Sequence, residues 1–299
     1  MLKPVIDVAI GLVFSQAKVL VGWREAKQHQ GNKYEFPGGK VEQGETPVQA
    51  CRREILEEVG VDIQTWHPFQ LIQHDYEDLE VRLHIFFAQL EQNQMQQVKQ
   101  QWQWYTRVEL LTLNFPKANV DILKRLYWAP YLKISPKLSE LTDQADDRLF
   151  YFRPEQWTEQ QMQAIRELSV AQQAQLILNE NDWKTLDQSV IKIAAVHLKQ
   201  SQLMQKSVGD LMIGQRYIAA CHDLESLQHA QHIGCEAVLL SPVLATPSHP
   251  NDMPLGWQQA QAWIETVDIP VFALGGMQPA FLQQAAQYGF YGLAGISNF

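Results

Sequence analysis

Hydrophobic and polar positions change rhythm near the middle of the chain. Up to about Trp128, apolar runs of strand length (Asp7–Phe14, Lys18–Trp23, Val81–Leu90, Trp102–Thr106) mix irregularly with one helical stretch, Pro47–Val59. That mixture predicts an α+β layered domain over residues 1–130. From Tyr131 onward, short apolar runs recur with helical segments between them: YLKIS, RLFYF, QLILN, AAVHL, RYIAA, AVLLSPV, PVFALGG and YGLAGIS. Regular alternation predicts a parallel sheet, and eight such runs predict a closed (β/α)₈ barrel over residues 131–299. Only Pro136 to Asp147 separates the first two runs, close to the minimum of about 10–12 residues for a βαβ connection, so the first crossover is shortened. The glutamine-rich Glu91–Gln103, EQNQMQQVKQQWQ, reads as a solvated loop between two strands.

Composition narrows the function classes. With 299 residues and 46% of them hydrophobic, the chain can bury two ordinary cores. A net charge of −9 argues against a basic face for nucleic-acid polymers or acidic membranes, while small anionic substrates stay open if a cation mediates. Three scattered cysteines, Cys51, Cys221 and Cys235, make neither a disulfide framework nor a zinc site. No run approaches the roughly 20 apolar residues that span a bilayer. The opening MLKPVIDVAIGLVF is read as a strand, with Asp7 interrupting the apolar run, and a cytoplasmic protein is expected.

The predicted helix carries the most chemistry. Thr46, Pro47 and Gln49 spell an N-cap, an N1 proline and a capping-box partner, and Gly60 stands where a left-handed C-terminal residue belongs. Val48, Cys51, Ile55 and Val59 form an apolar stripe, and Glu54, Glu57 and Glu58 share an arc beside it. Like charges at i and i+4, such as Glu54 and Glu58, destabilise a helix by a few tenths of a kcal/mol, so something cationic should compensate. Arg52 and Arg53 supply part of that, the bland alternative being a solvated face with an Arg53–Glu57 pair.

Gly39, five residues, Glu45, seven residues and then Arg53-Glu54-Ile55-Leu56-Glu57-Glu58-Val59-Gly60-Val61 resemble the Nudix box at every fixed position. The resemblance implies an α/β/α sandwich in which the Gly38 carbonyl, Glu54, Glu57 and Glu58 bind Mg²⁺ or Mn²⁺, and Arg53 orients a glutamate. Hard carboxylate oxygens suit such cations, which in turn neutralise phosphate oxygens. The flanks NKYEFPGGKVEQGETPVQA and NFPKAN resemble the MutT branch, the 8-oxo-dGTP diphosphatases. That likeness implies a nucleoside triphosphate pyrophosphohydrolase acting in nucleotide-pool sanitation. It implies Asn119 on the purine edge, Phe36 in the base pocket, and Arg24, Lys40 and Asp78 in contact with the nucleotide. Read by themselves, Phe36 can be core and Asn119 can cap the next helix. Where the branch has a loop glutamate, this chain has Gln96–Gln101 without an acid. Catalysis is therefore expected from Glu54 as general base, with Arg53 and Glu57, unless Glu91 or Asp75 reaches in.

The segments AAVHLKQSQL, AACHD, AVLLSPVLATPSHP and IPVFALGGM resemble thiamine phosphate synthases and the related TenI group. This implies a barrel of that type with Gly275-Gly276 cradling a phosphorylated ligand. Positions that in active synthases hold a lysine, an Asn-Asp pair, a metal aspartate and a Thr-x-Thr-Lys loop read here Glu155, Asn179-Glu180, Gln202 and Thr246-Pro247-Ser248-His249. A catalytically degenerate barrel is expected. Three alternatives stay open: hydrolysis of a thiamine-related diphosphate, a bifunctional enzyme with residual synthase activity, and a barrel that senses a phosphorylated ligand.

Overall fold

The first apolar run is buried continuously from Ala9 to Ser15, as a central strand must be. The computed structural model describes residues 3–26, 31–75, 77, 79–142, 147–246, 253–297 and 299. Its chain divides into two compact units, residues 1–127 with 212–214, and residues 128–211 with 215–299.

In the first unit, β1 (Val5–Ser15) pairs in parallel with β6 (Glu80–Gln89) and antiparallel with β2 (Lys18–Arg24) and β4 (Gly38–Lys40). The rest of the seven-stranded sheet is β3 (Lys33–Glu35) and β7 (Trp102–Thr106) on β2, and β5 (His67–Asp75) on β6. One face packs Leu12, Val21, Phe36 and Phe87 against Ile122, Leu123 and Leu126 of the helix Val120–Leu126. The other packs Ala9, Val13 and Leu20 against Ala50, Cys51, Ile55 and Val59. Helices on both faces give the expected sandwich. No strand was predicted over His67–Asp75, because Pro68, Gln70, Gln73 and His74 break the apolar alternation; only Phe69 and Ile72 are driven inward with His67.

Helix α1 (Pro47–Glu54) begins as the sequence indicates. The Thr46 side chain accepts from the Gln49 N–H, and the Gln49 side-chain oxygen accepts from the Thr46 N–H at 2.8 Å. From Ile55 to Val59 the helix widens by one residue per turn, so that the Gly60 N–H reaches the Ile55 carbonyl at 3.1 Å. Gly60 closes it at φ 94°. The apolar stripe starts at Ala50 and Cys51; Val48, in the first turn, is exposed. The glutamine-rich tract departs from a solvated loop. It forms a short 3₁₀ turn, Gln92–Gln97, and packs Met95 and Val98 on the core beneath α1.

The second unit is a closed barrel of eight parallel strands: β8 (Tyr131–Ser135), β9 (Arg148–Phe152), β10 (Leu176–Asn179), β11 (Ala195–Leu198), β12 (Tyr217–Cys221), β13 (Ala237–Leu240), β14 (Val271–Ala273) and β15 (Gly292–Gly295). Leu132, Leu149, Ile177, Ile218, Leu239 and Phe272 fill its interior, with Trp128 packed edge-on against Phe272. Between β8 and β9 the described residues form only one 3₁₀ turn, Leu138–Glu140, where a full crossover helix is usual. All three cysteines are free and buried. Among the described residues, no helix is long and apolar enough to cross a membrane.

Gly60 combines a left-handed backbone with the Gln97 carbonyl oxygen 2.9 Å from where a Cβ would lie. Gly60→Ala is therefore expected to destabilise the protein by about 1–2 kcal/mol or more. A lowered denaturation midpoint in urea, followed by far-UV circular dichroism, checks this.

Candidate active site

Arg53 is the hub around which the acidic side chains are arranged. It grips Glu45 with two nitrogens, at 2.7 and 3.2 Å, and donates to Glu54 at 2.8 Å and to the Lys40 carbonyl at 3.1 Å. Glu57 lies 3.5 Å away, the loosest partner of the set. A planar guanidinium offers its donors in a fixed fork, so one side chain can fix several carboxylates at once. The Arg53 hydrogen bond, followed by the Glu42 N–H, holds the Glu45 carboxyl below its ordinary pKa. Arg53 is raised correspondingly by Glu45 and then Glu54. The simple Arg53–Glu57 surface pair is thus a minor part of what Arg53 does.

The strand β4 lies against this network. Gly38, at φ 149°, donates its N–H to Glu58 at 3.0 Å. A side chain on Gly39 would meet the Glu54 carboxylate and displace it from the place where Arg53 holds it. Burial raises the Glu58 pKa; the Gly38 N–H opposes this, and the neighbouring charges of Glu54 and Glu35 add to it. Arg24 is bound to Glu35 at 2.6 Å. Lys40 is exposed at the end of β4.

The three box glutamates do not all converge. Glu54 and Glu58 are partly buried, whereas the Glu57 side chain is 60% exposed. Among the described residues, no three Asp, Glu, His or Cys side chains form a ready metal cage. Of the three carboxylates, Arg53 engages that of Glu54 closely and that of Glu57 loosely, and the Gly38 N–H engages that of Glu58. Their chemistry nonetheless fits a hard divalent ion. Glu58 is burdened by burial and like charge, which a cation among these oxygens would relieve.

The loop after the glutamine tract locks the widened helix end. Lys99 donates its ammonium to the Glu57 carbonyl at 2.5 Å and its N–H to the Val59 carbonyl at 2.9 Å. The Trp102 indole donates to the Glu58 carbonyl at 3.0 Å. Three consecutive terminal carbonyls are thus satisfied by the short stretch from Lys99 to Trp102. Sequence reasoning noticed the missing acid here but not the lysine that ties this segment to the helix end. Of the other acids weighed for a base, Asp75 pairs with Lys3 at 2.7 Å, and Glu91 is exposed just before the 3₁₀ turn.

On the opposite face of the sheet, Phe36 is buried and stacks on Phe115 at 4.9 Å. Asn119 is buried at the start of the helix Val120–Leu126, yet its side chain makes no cap hydrogen bond, which removes the capping explanation for it. Asp78 lies outside the described residues.

In the barrel, a cavity of about 600 Å³ opens at the C-terminal ends of the strands. Gly275, at φ 96°, lines it; Gly276, at φ 66°, packs on Leu244 and Ala245 and is not part of the lining. Glu155 is exposed and also outside the lining, and Pro247 to His249 lie outside the described residues. In the wall, His197 stacks on Tyr151 and shares a 3.0 Å hydrogen bond with its hydroxyl. Burial, then the charges of Arg153, Lys199 and His222, lowers the His197 pKa to about 3.

Two tests follow from these arrangements. Arg53→Lys keeps the charge but loses the fork, so kcat should drop about 10- to 100-fold with KM nearly unchanged in steady-state assays. For His197, the unfolded chain takes up a proton below its ordinary pKa of about 6.5, which the folded barrel refuses until about pH 3, so stability falls as pH falls through that window. His197→Gln should flatten the dependence of unfolding free energy on pH between about 6 and 4 by up to about 1.4 kcal/mol per pH unit, measured by urea titration.

Comparison with known proteins supplies the family. The NUDIX domain model matches residues 9–125, and the thiamine monophosphate synthase model matches residues 149–299. The 8-oxo-dGTP diphosphatase of Escherichia coli is 32% identical over 123 residues, which cover 40% of this chain and 95% of that protein. A putative thiamine-phosphate synthase 2 of Aquifex aeolicus is 32% identical over 137 residues, 45% of this chain and 71% of that protein. The solved thiamine phosphate pyrophosphorylase of Pyrococcus furiosus is 15% identical, with a TM-score of 0.43 over 56% of this chain and 86% of that one. The chain thus belongs to two families at once, a Nudix hydrolase of phosphorus anhydrides in its first part and a member of the thiamine monophosphate synthase family in its second.

Proposed function

We propose that the protein is a Mg²⁺-dependent nucleoside triphosphate pyrophosphohydrolase, with Mn²⁺ as substitute, whose preferred substrate is 8-oxo-dGTP. The products are 8-oxo-dGMP and pyrophosphate, and the role is sanitation of the nucleotide pool in the cytoplasm. The observation that carries this reading is the Arg53-centred carboxylate network behind the Gly38-Gly39 strand. The likeness to 8-oxo-dGTP diphosphatases over nearly their whole length supports the substrate.

Glu54, Glu57, Glu58 and the Gly38 carbonyl would hold the cation. When bound, it offsets phosphate charge and makes the attacking water more acidic. The chain's own residues supply the rest. Arg53 fixes the Glu54 carboxylate, which accepts the proton of the attacking water. Lys99 and Trp102 hold the helix end, so that Glu57 and Glu58 face the substrate from a rigid backbone. Arg24 and Lys40 contact the nucleotide, and Phe36 shapes the base pocket. The Asn119 amide, donor and acceptor together, reads the purine edge. A site built to hydrogen-bond such an edge rejects an analogue that leaves it unpaired.

The barrel is read as inactive in thiamine phosphate synthesis. Glu180 is buried and carries two lysine partners, Lys206 at 2.7 Å and Lys184 at 3.1 Å. Burial pushes its pKa up, but these lysines outweigh burial and the net shift is downward. Its charge is spent within the fold.

Steady-state turnover of 8-oxo-dGTP, dGTP and thiamine diphosphate with Mg²⁺ tests the assignment, with Glu57→Gln as background. The expected outcome is a kcat/KM at least about 100-fold higher for 8-oxo-dGTP than for dGTP, with the margin shrinking by about tenfold or more in Asn119→Ala. Equal rates on the two purine nucleotides, with fast hydrolysis of thiamine diphosphate, overturn it.

A further inference from the structure

Glu57 is the least secured of the box glutamates. The Glu54 carboxylate is gripped by Arg53 at 2.8 Å, and the Glu58 carboxylate accepts the Gly38 N–H at 3.0 Å. The Glu57 side chain is mostly exposed and meets Arg53 only at 3.5 Å. What holds Glu57 closely is its backbone, through the Lys99 Nζ on its carbonyl at 2.5 Å. Carbonyls in the last turn of a helix lack a partner within the helix, so this bond answers a need of the fold as well.

The segment that carries Lys99 is itself anchored. Gln94 donates its amide to the Asp62 carbonyl at 3.2 Å, just past the box, and the Asp62 carboxylate takes two bonds from Arg52, at 2.6 and 2.8 Å. Met95 and Val98 pack on the core, and the Lys99 N–H bonds the Val59 carbonyl at 2.9 Å. The Lys99 stem passes over Gly60, its Cγ and Cε 3.5 and 3.7 Å from where a Cβ would lie. Among the described residues the ammonium makes no ion pair, so the Glu57 carboxylate stays open to another cation.

We propose that Lys99 is a positioning residue for the cation site, on the reading of Glu57 as a cation ligand: by pinning the Glu57 carbonyl it fixes the direction in which that side chain leaves the helix, and so raises the affinity for a divalent ion. Groups that orient a ligating side chain contribute about 10- to 100-fold in metal affinity. The Lys99 charge acts in the opposite sense, since cations repel, but an exposed ammonium is screened by water and salt. Orientation therefore outweighs repulsion. The barrel does not compete for the ion with a comparable site. There Asn179 donates to the Gln202 side chain at 2.9 Å, and Gln202 donates to Asn181 at 3.1 Å and to Asn179 at 3.3 Å. These three amides satisfy one another and offer no anionic oxygen, the ligand type that a hard divalent cation favours.

The test is titration of the full-length protein with Mn²⁺ in the absence of substrate, the free ion being followed by electron paramagnetic resonance. Lys99→Met keeps a stem over Gly60 and the backbone bond to Val59 but removes the donor to Glu57. It should bind Mn²⁺ about tenfold more weakly than wild type at a matching melting temperature, and Lys99→Arg should recover affinity to within about threefold. Lys99→Gln, too short to reach the carbonyl, gives the same reading should Lys99→Met fold poorly. Unchanged or tighter Mn²⁺ binding without the donor, or no recovery with arginine, overturns the proposal alone. Wild-type protein that binds no Mn²⁺ overturns the cation reading of the hydrolase site, and this proposal with it.

Discussion

Everything in the hydrolase half depends on keeping several negative charges close together. Arg53 does this with a single guanidinium: Glu45 takes two of its nitrogens, Glu54 a third, and Glu57 sits at the limit of its reach. The orientation of the acidic side chains is therefore a property of one planar cation and not of the helix alone. The glycine strand supplies the other half of the constraint. Gly38 presents an N–H to Glu58, and Gly39 leaves room for the Glu54 carboxylate. A helix with the same charges but without that strand and that arginine would splay them into solvent.

The widened turn at Ile55–Val59 shows how local strain and tertiary contact are matched. Such a turn weakens the regular ladder and leaves terminal carbonyls in need of donors. Lys99, from the loop before β7, and Trp102, at the start of β7, provide them from a segment distant in sequence. Buried Ile55 and Val59 tie the same turn to the sheet. Backbone geometry, capping loop and core thus fix Glu57 and Glu58 from three directions.

Much of this was legible in the sequence, and the failures have physical causes. The capping box at Thr46, the left-handed Gly60 and all eight barrel strands follow from short-range rules, because caps, turns and buried parallel strands are dictated by neighbours in the chain. The shortened first crossover was visible as a simple count of residues. Strand His67–Asp75 was hidden because half of its positions face away from the core and carry polar residues. The widened turn has no marker in composition, and the Lys99 contact joins residues 42 positions apart, beyond any periodicity argument. Asn119 illustrates the intermediate case. Sequence placed it at a helix start, where capping was one reading; its burial and the lack of a cap bond remove that reading alone.

The amide triangle of Asn179, Asn181 and Gln202 has a consequence for how the barrel can change over generations. Asn179 and Gln202 each donate to the other's side-chain oxygen, so a carboxylate at either position sets oxygen against oxygen, and Asn179 also serves the buried His197 carbonyl. At these two positions the step to an acid lowers stability before any cation could be bound. The Asn179–Gln202 pair therefore resists drift toward acidity through the stability of the barrel itself.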